Sequence, residues 1–211
     1  SNYNIWYNIG NSIMSTLEVN TINPQSGNDV TIGGSSKNVK FASGTTVDFN
    51  TNTPTLTLGA AMKATPAFEA FLSSSQDVSD NTTTKIQCNS EVFDSDSCYD
   101  NSSNYRFTPT TAGKYFVYAV LGTDTISGAN LDQANLFIYK NGSSISQSKL
   151  DARGNTLGSF CTVNATLTVD MNGSSDYLEA YGQIDDTSGD PDFFGSSSRI
   201  TLFGAYRIIG A

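Results

Sequence analysis

Apolar and polar residues alternate with a period of two along most of this chain, in short runs separated by Gly, Asn and Ser. Leu17-Glu18-Val19, Val30-Thr31-Ile32, Val39-Lys40-Phe41, Val47-Asp48-Phe49 and Leu56-Thr57-Leu58 are each an apolar–polar–apolar triplet. A triplet of this kind is the mark of a strand with one buried face. From Val30 onward the runs begin 9, 8 and 9 positions apart, and clusters such as Gly33-Gly34-Ser35 and Ser43-Gly44 turn the chain between them. The regular spacing predicts stacked or winding β-structure over residues 17–58. Each triplet offers two apolar side chains, which is less burial than ordering the backbone of the unit costs. One copy of such a ribbon cannot hold itself together. Three copies sharing the apolar stripe around one axis form the simplest closed arrangement, and closure leaves no exposed sheet edge. A homotrimer is therefore expected, the other reading being a flexible linker with accidental alternation.

Residues 1–16 are polar with scattered Ile, Tyr and the single Trp6. They are expected to be a leader or attachment segment. Met14 offers an alternative start, with residues 1–13 as an upstream extension. Residues 59–66 read as a hinge, because Pro66 restricts the residue before it and marks a new unit. Residues 67–211 are denser. Candidate strands are Ala67–Leu72, Thr84–Val92, Tyr105–Thr108, Lys114–Gly122, Ala134–Lys140, Ser143–Ser148, Leu157–Asp170, Tyr177–Gly182 and Ser198–Ile209. Asn141-Gly142 between two strands is a hairpin signal, and Asn172-Gly173 is expected to play the same role. No helix-period segment of useful length occurs. The predicted class is all-β, with a sandwich or jelly roll after the repeat region.

Charge narrows the partners. The 211 residues carry a formal net charge of -9 with only 11 Lys and Arg. Nucleic-acid binding needs a basic footprint that is missing, and anionic membrane surfaces repel such a chain. No run approaches the ~20 apolar residues of a membrane span, so membrane insertion is not expected. The first residues lack the basic region and apolar run of a signal peptide.

Candidate chemistry is sparse. There is no His, which removes the usual Ser–His and Cys–His nucleophile pairs and His-rich zinc sites. No catalytic or cofactor-binding residue is expected. Acidic clusters occur at Asp94, Asp96 and Asp100, and at Asp185, Asp186, Asp190 and Asp192. The second places oxygen ligands within eight residues and is a calcium candidate, although it matches no EF-hand loop; solvated loop charges are the plainer reading. Three cysteines exclude a complete intrachain disulfide set. Cys88 and Cys98 could pair across a turn, or all three, with Cys161, are reduced thiols. The aromatic residues on candidate strands form the expected core and trimer packing, with Phe107, Tyr115, Val117, Phe137, Leu202 and Tyr206 foremost.

An ordered series of motifs then resembles a known family. Pro66-Ala67-Phe68-Glu69-Ala70 looks like an opening strand. Val92-Phe93-Asp94, Tyr99-Asp100, Tyr105-Arg106-Phe107-Thr108-Pro109 and Ala112-Gly113-Lys114-Tyr115-Phe116-Val117 follow. Leu136 to Gly142 carries an "L-x-x-x-K-N-G" hairpin, and Leu167-Thr168-Val169-Asp170, Tyr177-Leu178-Glu179-Ala180 and Ile200 to Tyr206 complete the series. Together they resemble the C1q-like head, related to the tumour necrosis factor fold. The resemblance implies a ten-strand jelly roll that assembles as a trimer and binds rather than catalyses. The loop Asn172 to Asp176 is longer than the family's turn. Residues 17–58 are similar to the short-repeat stems of bacteriophage fibre proteins, and no collagen repeat is present, since Gly is nowhere every third residue.

The combination implies a non-enzymatic virion fibre or spike. Its N-terminal segment would dock onto other virion proteins, and its head would bind a host cell-surface glycan or protein. The alternatives are a capsid decoration or cement trimer, a secreted C1q-like cytokine or lectin module, and, most distantly, a depolymerase.

Overall fold

The chain divides into two units, Ser1–Thr55 and Leu56–Ala211. The computed structural model describes residues 43, 63–125, 129–154, 158, 160–187 and 189–210. The leader, the repeat region apart from Ser43, and the first part of the hinge lie outside the described residues, and so do the expectations placed on them.

Thirteen strands follow one another in the second unit. They are β1 (Ala67–Phe71), β2 (Gln76–Asp77), β3 (Thr84–Lys85), β4 (Ser90–Asp94), β5 (Tyr99–Asp100), β6 (Arg106–Phe107), β7 (Gly113–Asp124), β8 (Leu131–Lys140), β9 (Ser143–Asp151), β10 (Thr162–Met171), β11 (Leu178–Asp186), β12 (Asp192–Phe193) and β13 (Leu202–Arg207). Every pairing is antiparallel. Among the described residues there is no helix, and hence none long and apolar enough to cross a membrane. The first sheet runs β10-β7-β13-β1-β4, with β12 and β2 continuing from the far end of β7. The second runs β5-β6-β11-β8-β9, with β3 against β11. The chain changes sheet from β7 to β8, from β9 to β10 and from β10 to β11, as in a jelly roll, while β8 and β9 pair as a hairpin within one sheet. Five strands are two-residue pieces, leaving eight longer ones where ten strands were expected.

Alternation sets the two faces of each sheet. Along β7, Tyr115, Val117, Ala119 and Leu121 point inward and are at most 1% exposed, while Phe116, Tyr118 and Val120 point outward and are half-buried. Phe68 on β1 occupies the centre of the interior. Its ring stacks on Tyr99 and Phe107, both at 4.5 Å, and meets Phe203 edge-on at 5.1 Å. The second sheet closes this core with Leu136, Ile138, Leu178 and Ile184, each fully buried.

Several sequence expectations change in detail. Asn141 and Gly142 have φ of 52° and 79°, the left-handed pair that a tight β8–β9 hairpin requires. Asn172-Gly173 is not a hairpin turn, because β10 and β11 belong to different sheets. Instead the Asn172 side-chain oxygen accepts from the backbone N–H of Ser174, Ser175 and Asp176 and shapes a crossover. Thr84–Val92 is not one strand. Buried Ile86 and Cys88 carry the chain from β3 in the second sheet to β4 in the first. The last strand begins only at Leu202, after Thr201 has turned its hydroxyl onto the Phe194 carbonyl at 2.6 Å.

The considered Cys88–Cys98 bridge is not formed; all three cysteines are free thiols. Cys88 is wholly buried in the core, where burial pushes its thiol pKa up. The Cys98 thiol lies 3.5 Å from the Asp96 carbonyl and 3.9 Å from the Thr110 hydroxyl.

Candidate functional site

Three surfaces of the head carry chemistry, and each arises from cross-strand register. The outer face of the first sheet carries an aromatic patch over β7, β13, β1 and β4, beside the exposed polar residues of β10. Val120, Leu202 and Phe71 form one row across β7, β13 and β1, and Phe116 and Tyr206 form another. Between them, Tyr118 faces Gly204, which faces Glu69, which faces Phe93. Phe116 lies 5.5 Å from Tyr206, ring centre to ring centre. Tyr206 is 43% and Phe93 46% exposed. Arg199 stands at the rim, 3.8 Å from Glu69 and 5.7 Å from the Phe71 ring.

The residues expected to pack the core or a trimer face therefore sort into three places. Phe107, Tyr115 and Val117 are interior. Leu202 and Tyr206 lie on the outer face of the first sheet. Phe137 lies on the outer face of the second sheet, opposite Tyr181.

The second surface is the end of the sandwich where β7 and β11 finish. Asp192 pairs in register with Asp77 on one side and Asp124 on the other, so three carboxylates sit side by side across β2, β12 and β7. With Asp190 and Thr125 they line a cleft of about 250 Å³. Partial burial, and then the neighbouring Asp77, push the Asp192 pKa up. The four calcium candidates are not gathered at one point. Asp190 and Asp192 line this cleft. Asp185 sits on the outer face of β11, its pKa raised by desolvation first and then by Asp80 and Asp132. Asp186 is buried and accepts from the Gly189 N–H at 2.7 Å. Among the described residues no three metal-ligating side chains come together as a site. The other acidic cluster is occupied by the backbone. Asp100 accepts from the N–H groups of Ser102, Ser103 and Asn104, and these bonds hold its carboxyl well below the usual range.

The third surface, the outer face of the second sheet, was not anticipated. Glu179 on β11 points outward yet its side chain is only 2% exposed. Its Oε1 accepts from Lys85 Nζ at 2.6 Å and from Arg106 Nη2 and Nε at 2.7 and 3.1 Å. Tyr139 and Tyr181 lie beside this centre, ring centres 4.3 Å apart and planes tilted by 36°, and the Arg106 guanidinium lies 3.9 Å above the Tyr177 ring. Lys85 and Glu179 are 94 positions apart in sequence, so no local pattern announces the pair. The only hint is a charged residue within the apolar series Leu178-Glu179-Ala180.

No protein-family model and no curated protein sequence matches this chain. Its structure is similar to that of Eiger TNF from S. frugiperda, with a TM-score of 0.52 at 11% identity, covering 69% of this chain and 93% of that one. Murine APRIL at pH 8.5 aligns with a TM-score of 0.47 at 9% identity, over 67% of this chain and 99% of that one. At 11% identity the likeness concerns the fold, and the fold of the head is a TNF-like jelly roll.

Proposed function

We propose that this protein is a non-enzymatic, trimeric structural protein of a virion, a bacteriophage fibre or spike whose head recognises a molecule on the host surface. The observation that carries the trimer is an aromatic patch on the outer face of the first sheet, where Phe71, Phe93, Phe116, Tyr118, Leu202 and Tyr206 gather around Glu69, flanked by the exposed Asn164, Thr166 and Thr168 of β10. A second and a third copy of the chain are its occupants. Aromatic side chains that bury 150–250 Å² each dominate the energetics of such faces. The repeat over residues 17–58 supports the same assembly, because its apolar stripe needs copies of itself. That stretch also supports the virion reading, through its similarity to phage fibre stems. Lack of His and the engagement of Glu179 and Asp100 in internal bonds favour binding over catalysis.

Sedimentation of the full chain tests the assembly: a mass three times that of one chain is expected, and a monomer at micromolar concentration would refute it. Antibody labelling of intact particles tests the location. Label at a fibre tip is expected; label spread over the capsid shell would favour the decoration reading. A secreted TNF-like binding module remains the second reading, favoured by the likeness to Eiger TNF. Fold alone does not choose a ligand.

A further inference from the structure

The outer face of the second sheet holds two rows of unlike chemistry side by side. One is aromatic: Phe137 and Tyr139 on β8, and Tyr181 on β11, with ring centres 6.3 and 4.3 Å apart in sequence along the row. All three are half-buried. The next is a chain of side-chain amides. Gln147 donates to Asn135 at 3.1 Å, Asn135 donates to Gln183 at 3.2 Å, and Gln183 donates to Asn81 at 2.8 Å. Each amide carries both donors and acceptors, and one such chain fixes which atom points which way. At the other side of the aromatic row stand Lys85 and Arg106. They share the single carboxylate Glu179, while the carboxylate of Asp100, in register with Arg106, is taken up by the N–H groups of its own turn, so two cations bind one carboxylate on a chain whose net charge is -9. Of the five N–H donors of Arg106, Glu179 takes Nε and one on Nη2. The other three have no acceptor among the described residues.

We infer that this face binds an acidic saccharide, a pyranose ring bearing a carboxylate. The inference rests on the reading of the head as a recognition module and adds its ligand class and place. The apolar face of the sugar ring lies on Tyr139 and Tyr181, planar rings that contribute contact area at small entropic cost. Hydroxyls, which both donate and accept, meet the exposed Gln147 end of the amide row, since Asn135 within it is only 4% exposed. The sugar carboxylate meets the open guanidinium edge, whose planar fork matches a carboxylate. Charge decides among occupants. A basic partner would face Lys85 and Arg106 directly. A long polyanion such as nucleic acid would be repelled by the rest of the chain. A short acidic sugar collects the local attraction and little of the global repulsion.

The test is calorimetric titration of the full chain with a galacturonic acid trimer and with its carboxyl-reduced, neutral counterpart. The acidic trimer is expected to bind at least about tenfold more tightly. Tyr139→Leu and Arg106→Lys are each expected to weaken it by about tenfold or more; the second keeps a cation on Glu179, so the fold is preserved. Circular dichroism and sedimentation on each preparation confirm folding and assembly. Equal binding of the two sugars, or unchanged binding by both variants, overturns the inference. A glycan array separates the two levels. A trimer that binds neutral glycans and no acidic ones overturns this inference alone, whereas a chain that neither trimerises nor binds any glycan removes the recognition reading with it.

Discussion

The hydroxyl of Tyr118 on β7 donates to Glu69 on β1 at 2.8 Å, although β13 lies between those strands. The bond passes over Gly204, the residue of β13 that faces both. A Cβ at that position would fall 2.3 Å from the Tyr118 ring and 2.4 Å from its hydroxyl. Gly204 thus lets a tyrosine lie flat across the sheet. Gly204→Ala should lift Tyr118 out of the face, at a cost of about 1–3 kcal/mol for overpacking. Tyr118→Phe should cost only about 1 kcal/mol, the worth of one hydrogen bond. Urea unfolding gives the two stabilities, and sedimentation gives the assembly. Gly204→Ala is expected to weaken the proposed trimer more than Tyr118→Phe does.

Glu179→Gln should destabilise the head by about 1–3 kcal/mol, the range for hydrogen bonds to charged groups. The two cations left behind are 25% and 30% exposed, so water softens the loss. Because Lys85 and Arg106 reach Glu179 from β3 and β6, their release should first loosen those two-residue strands. Hydrogen exchange at Lys85 and Phe107 is the measurement, and unchanged protection there would contradict the clamp.

Phe68→Ala should cost about 3–5 kcal/mol, as for large aromatic deletions in a closed core. Three rings lose their common contact at once. Chemical denaturation of the head followed by Tyr fluorescence would report it. A loss below 1 kcal/mol, the size of a conservative core change, would mean that the site collapses without a cavity.

Asp192 gives a pH test with a definite sign. Its folded-state pKa is raised, by partial burial first and then by Asp77. Its ionisation therefore works against the fold: this group favours folding below the ordinary carboxylate pKa, and that help fades as pH rises toward the folded value. Asp100 acts oppositely, because bonds from Ser103, Ser102 and Asn104 lower its pKa. Its contribution is present above the ordinary value and is lost on acidification. Asp192→Asn should raise the melting temperature at pH 7 and leave it little changed at pH 4. Asp100→Asn should lower it at pH 7. Scanning calorimetry at both pH values decides, and a fall at pH 7 for Asp192→Asn would reverse the assignment.

Much of the sandwich was legible because alternation and turn chemistry are local. Tyr115 and Val117 fall inside and Phe116 and Tyr118 outside, as a period of two dictates, and Asn141-Gly142 makes its hairpin. What escaped was non-local. The Thr84–Val92 stretch looks continuous, yet Ile86 and Cys88 serve two sheets, and no residue pattern marks a strand that changes partners. Leu202, Tyr206 and Phe137 were recognised as packing residues, but which face each joins depends on register against strands far along the chain. Glu179 needed Lys85 and Arg106, 94 and 73 positions away. The row Asp77–Asp192–Asp124 likewise exists only once β12 inserts beside β2 and β7.

The crowding of aspartates where β7 and β11 finish has an outcome for how the head meets a surface. Asp77, Asp80, Asp124 and Asp132 stand there with Asp151, Asp185, Asp186, Asp190 and Asp192, nine of the chain's 20 acidic residues. The strand β1 starts at the opposite end, beside Tyr206. The head is an electric lopsided body, and at a salt concentration of 0.1 M its negative pole is felt over about 10 Å. On the proposed reading of the head as a host-recognition module, an anionic envelope approached pole-first would turn it away and favour a flank-first landing, and diluting the salt should sharpen that preference.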